Sequence, residues 1–251
     1  MQIKIIFCLV CYTLFCGRLY SVENTSSSNV YILKGLFHEY YKIEEAARAI
    51  GLENPKVSYF VVQYWGSAVR PEFPRYKCDL QNVRVVVLAD MEVKALGLYG
   101  RKALRDFVAD GGGLMIIGGL FGLAQGECRG TFIDELIPVE AENSVVDWYQ
   151  PPLIITRGED DFINRSISFE KKPVVIWGYR FDKLKPGARV LVKAGDSSFL
   201  VTWTYKKGRV ALLTGTCLGE SKEGELAFWE WDQWVPLMKN VLAWLAMKEK
   251  E

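Results

Sequence analysis

Leu114-Met115-Ile116-Ile117-Gly118-Gly119-Leu120-Phe121-Gly122 is the stretch that decides the fold class of this chain. Four consecutive apolar residues between glycines read as a short strand buried on both faces, the pattern of a parallel sheet covered by helices. The Gly118 to Gly122 turn has the spacing of a nucleophile elbow, whose glycines let the chain bend sharply and lift one side chain above the sheet. That side chain is Leu120. An aliphatic carbon can neither attack a carbonyl nor be activated by a base. The turn therefore predicts a catalytic type of fold without the usual nucleophile.

Upstream, Asn29 to Leu33, Val57 to Tyr64 and Val83 to Ala89 have strand composition, and helical spacing covers Glu39 to Ile50 and Leu96 to Asp110. This alternation predicts a doubly wound, largely parallel sheet. Trp65 to Lys77 reads as a loop, and Thr131 to Leu136 as a short helix stopped by Pro138. Downstream the pattern changes to additional short strands and hairpins, at Leu153 to Thr156, Val174 to Trp177, Val190 to Lys193, Phe199 to Thr204 and Arg209 to Thr214. A last helix is expected over Trp231 to Met247.

Half of the 251 residues are apolar, ample for a core. At the amino terminus Lys4 precedes an apolar run from Ile5 to Cys16, too short to span a bilayer. Residues 1–21 are expected to be a signal peptide and 22–28 a flexible leader, with one domain over 29–248, secreted or periplasmic. Its removal leaves a nearly neutral chain with no membrane span and no surface for nucleic acid. It also leaves three cysteines, Cys78, Cys128 and Cys217, as a disulfide plus a free thiol or as buried small residues.

Taken in order, Val85 to Asp90, Phe107 to Gly119, Gly130 to Val139, Val201 to Val210 and the Trp-rich last helix resemble the glutamine amidotransferase-like family. The resemblance implies a flavodoxin-like α/β fold over nearly all of the mature chain. Active members of the class I superfamily place a cysteine in the nucleophile turn and a histidine with a nearby glutamate after a late strand. Here Leu120 stands in the cysteine's place, and Gly215-Thr216-Cys217-Leu218-Gly219-Glu220 holds no histidine. The single histidine, His38, falls too early in the chain for that role. Thiol-based glutamine hydrolysis is not expected.

Asp90, closing an apolar strand, is either a polar anchor for a ligand or a turn residue. Gly118, Gly119 and Gly122 either offer N–H groups to an anion or make a tight turn. Cys217 beside Glu220 is a displaced nucleophile or a packed small residue, and Glu159-Asp160-Asp161 a cation loop or a solvated one. Phe228, Trp229, Trp231 and Trp234 stack on sugars or fill the core, and Asn24 and Asn164 fit the glycosylation pattern. No catalytic residue, metal or cofactor is implied. The expected role is a non-hydrolytic domain binding a small molecule, carbohydrate included, or a protein partner. Asp90, Gly118, Gly119, Leu120, Thr216, Cys217 and Glu220 would line its site. The rival is an enzyme that uses carboxylates, Asp90 with Glu127 or Glu220, on a sugar-like substrate.

Overall fold

The computed structural model describes residues 30–52, 55–59, 73–120, 122–123, 128–140, 146–181 and 183–248. The expected signal peptide, leader and Glu127, and the end of the second expected strand, lie outside the described residues.

The described chain forms one ten-stranded mixed sheet with four α-helices. Its parallel part is β2 (Lys56–Tyr59), β1 (Val30–Lys34), β3 (Val85–Ala89), β4 (Gly113–Ile117) and β9 (Gly208–Leu213), in that spatial order. From β9 onward every pairing is antiparallel, through β8 (Ser197–Tyr205), β7 (Arg189–Ala194), β5 (Val146–Arg157), β6 (Val174–Tyr179) and β10 (Gly215–Thr216). The fold is thus α/β with a mixed sheet: the first-half strands pair in parallel as expected, and the additional second-half strands make the antiparallel part. Tight turns join β7 to β8 and β8 to β9, and a turn that short allows only antiparallel neighbours.

Alternate residues of the central strands divide between two cores. Val30, Ile32, Val85 and Val87 meet α1 (Ile43–Ala49) and α4 (Trp234–Leu245), whereas Tyr31, Leu33, Val86 and Leu88 meet α2 (Gly97–Ala109). Helices therefore cover both faces of the parallel part, as the unbroken valine run required. None of the described helices is long and apolar enough to cross a membrane.

Three segments differ locally from the expectation. Strand β5 begins seven residues before the expected Leu153, because Pro151-Pro152 hid it. Its register with β6 breaks between Trp148 and Leu153, where ring nitrogens are not asked to donate. Thr131 to Leu136 forms turns instead of a helix. The segment after β5 contains an unexpected short helix, α3 (Phe162–Arg165), capped reciprocally by Asp161 and Asn164. Asn164 is wholly buried, and its amide donates to the carbonyls of Glu159 and Leu191. It is a structural residue, closed to glycosylation in the folded chain; Asn24 lies outside the described residues.

Candidate functional site

Strands β3 and β4 end side by side, so their carboxyl ends deliver Asp90 and the Gly118 turn to one place. Asp90 adopts a left-handed backbone, φ 50°, and its N–H donates to the Ile117 carbonyl at 3.1 Å. The side chain is fully buried and turns toward the glycine turn, where Oδ1 accepts the Leu120 N–H at 2.7 Å. Gly119, also left-handed at φ 52°, makes this approach possible. A Cβ there would lie 1.8 Å from the Asp90 carboxyl carbon. On the other side the Tyr179 hydroxyl donates to the Leu120 carbonyl at 3.1 Å. Leu120 is half-buried, and the left-handed residue of the turn is Gly119 rather than Leu120.

The N–H groups of the turn are largely used within the protein. Gly118 donates to Leu213, Gly122 to Gly118, and Leu120 to Asp90. These bonds fit the tight-turn reading of the glycines better than the anion cradle.

Beyond β9, the short β10 brings Thr216 and Cys217 into the same neighbourhood. Cys217 N–H donates to the buried Tyr41 hydroxyl at 3.3 Å, and the Tyr41 carbonyl accepts the Trp234 indole N–H at 3.0 Å. Thr216 Oγ1 lies beside the Tyr41 hydroxyl, outside ordinary hydrogen-bond geometry. Burial drives the Tyr41 phenol far above its ordinary pKa, and negative charge at Cys217 and Asp90 adds to the rise. Burial likewise pushes the Cys217 thiol well up, followed by the Asp90 charge. The Tyr179 phenol is raised by burial first and Asp90 second. Burial, which disfavours the charged form of each, is thus the main cause that keeps these three acids protonated near neutral pH.

Six of the seven expected site residues, Asp90, Gly118, Gly119, Leu120, Thr216 and Cys217, gather at this edge. Glu220 is exposed two residues beyond Leu218. Tyr41 and Tyr179 escaped the sequence reading, since an isolated tyrosine carries no spacing signal. Beside this edge a cavity of about 270 Å³ opens over the ends of β1 and β3, lined by Ile32, Lys34, His38, Lys42, Glu44 and Ala89 among others. His38 is thus near the candidate region, with Nδ1 2.8 Å from the Gly35 carbonyl. A larger cavity, about 550 Å³, lies between Arg129, Asp134, Glu140 and Lys185.

Other candidates resolve into structure. Phe228, Trp229, Trp231 and Trp234 are buried, so the densest aromatic cluster is core. Glu159 and Asp161 pair with Arg189, and Asp160 with Arg165, which spends the acidic run on ion pairs. Cys78, Cys128 and Cys217 are free thiols, the last two buried, with Cys128 pushed up to about 12 by burial. Among the described residues no three His, Cys, Asp or Glu side chains cluster as metal ligands would.

The fold is similar to two solved cytoplasmic proteins of Salmonella typhimurium. One, from strain LT2, has 20% identity and a TM-score of 0.66, the other 17% and 0.68; each match covers 86% of this chain and 98% of that protein. It is also similar to a ThuA-like protein of Parabacteroides merdae, at 13% identity and a TM-score of 0.57, over 88% of this chain and 90% of that one. No curated protein matches the sequence. A family profile described as "Putative glutamine amidotransferase" matches residues 41–247, which include the Gly118 turn, Asp90 and the Thr216 to Glu220 segment. The chain belongs to that glutamine amidotransferase-like family.

Proposed function

We propose that the chain is a non-hydrolytic member of its family, binding a small molecule or a protein partner at the carboxyl edge of its sheet. The observation that carries this is the Asp90–Leu120 contact: the nucleophile position holds an aliphatic side chain, and its N–H is bound by a buried carboxylate. Acyl transfer needs N–H donors aimed at the developing oxyanion, and the Leu120 N–H of this turn is already taken by Asp90. The flavodoxin-like, doubly wound ancestry expected from the sequence belongs to the same reading. Parallel strands covered on both faces support it.

A carboxylate enzyme would need two acids facing one cleft. Asp90 is wholly buried and Glu220 exposed, which favours binding over hydrolysis. The test is a glutaminase assay on the purified chain and on Leu120→Cys. No ammonia is expected from either, because a thiol needs an imidazole to activate it, and the Nδ1 of His38 is engaged with the Gly35 carbonyl. Turnover by Leu120→Cys that iodoacetamide abolishes would refute the reading.

Export is the second part of the proposal and rests on Lys4 and the apolar run behind it. Intact-mass measurement from the native host is expected to find a chain lacking about the first 21 residues. A mass that includes Met1 to Ser21 would remove the export reading.

A further inference from the structure

The aromatic cluster that the sequence offered for sugar binding is core, but a different pair of indoles faces outward. Trp148 on β5 stands directly opposite Trp177 on β6, and Trp177 directly opposite Thr216 on β10. Residues opposed in this way share a sheet face, so Thr216, Trp177 and Trp148 form one row from the buried carboxyl-edge site to the surface. The two indoles are stacked, with centroids 5.8 Å apart and planes 7° from parallel. Trp177 is partly buried and packs on the core, while Trp148 is 55% exposed. The Thr216 to Glu220 segment closes against the inner ring, since a Cβ on Gly219 would lie 3.3 Å from Trp177 Nε1.

From this row we infer that the outer face of Trp148 is a stacking platform for a pyranose ring of a neutral carbohydrate, linked through Trp177 to Thr216 at the carboxyl edge. This deepens, and rests on, the reading of that edge as a binding site. Three features select a sugar over other occupants. A rigidly backed indole presents a flat apolar face of the size of one sugar ring, whose axial C–H groups need such a surface while its hydroxyls stay wet. One exposed indole is small beside the ~800 Å² per partner that a stable protein interface requires. The other exposed large apolar residue of β5 and β6, Ile154, lies beyond the register break. Finally, the charges that flank the two indoles on β5 and β6 pair with each other, Arg180 with Asp147 at 3.0 Å, which suits a neutral ligand better than an ionic one.

The experiment titrates the full chain with methyl β-D-galactopyranoside and with cellobiose, read by saturation-transfer NMR and indole fluorescence. Saturation is expected on one face of a ring. Trp148→Ala should weaken binding roughly tenfold and Trp148→Phe far less, in keeping with the strength of flat-ring stacking. Trp148 is exposed, so an unchanged Tm shows that the Ala variant is folded. Leu120→Trp, which enlarges the half-buried side chain at the turn, separates the two readings. Weakening by both substitutions supports both. Weakening by Leu120→Trp alone keeps the carboxyl-edge reading and overturns the platform, and weakening by Trp148→Ala alone does the reverse. Binding of neither sugar, or a dimer that Trp148→Ala converts to monomer, overturns the platform.

Discussion

Gly119→Ala is expected to destabilise the chain by about 3–5 kcal/mol, the sum of three costs that act at one atom. A left-handed backbone at φ 52° penalises any Cβ by ~1–2 kcal/mol. The new methyl would sit 1.8 Å from Asp90 Cγ and 2.0 Å from Oδ1, an overlap that no small shift relieves. The escape is rotation of the Asp90 side chain, which gives up the Leu120 N–H and leaves a buried carboxylate to find another partner. Urea denaturation of Gly119→Ala, Asp90→Ala and the double variant measures this directly. If the Asp90 contact is the cause, removing the carboxylate makes room for the methyl, and the double variant recovers about 1–3 kcal/mol relative to additivity. Additive effects, or a Gly119→Ala variant within about 1 kcal/mol of the parent, would mean that the turn is not clamped by Asp90.

That clamp marks the boundary of what could be read from the residues alone. Strand β4 and its glycine turn were legible because a buried strand must be apolar and a sharp bend must be glycine, both strictly local demands. Asp90 was legible as a residue at a strand end, but not as one facing inward, because that depends on the left-handed backbone and on a neighbour thirty residues away. Strand β5 was legible only in its carboxyl half. Its prolines argue against a central strand until the register break that accommodates them is known. The four-aromatic run from Phe228 to Trp234 had two readings because spacing along one segment gives no burial. Trp148 and Trp177 are 29 positions apart and meet only through strand pairing, so no periodicity could couple them.

Trp234→Ala is expected to cost about 3–5 kcal/mol, whereas Trp148→Ala should cost under about 1 kcal/mol. The same residue type is asked for opposite behaviour. Trp234 is fully buried at the start of α4 and meets Phe228 and Phe199 edge to face, with centroids 4.9 and 6.4 Å away. Truncation opens a cavity there that the surrounding rings cannot collapse into. It also removes the N–H that satisfies the Tyr41 carbonyl, and Tyr41 in turn accepts from Cys217 at the candidate site. Trp234→Phe separates these terms. It keeps most of the volume and loses the donor, so about 1–3 kcal/mol should remain. Amide exchange at Cys217 should then quicken in both Trp234 variants, because the Tyr41 hydroxyl is no longer held in place from behind. Unfolding free energies in which Trp148→Ala equals or exceeds Trp234→Ala would reverse the assignment of core and platform. Unchanged exchange at Cys217 would disconnect helix α4 from the carboxyl edge.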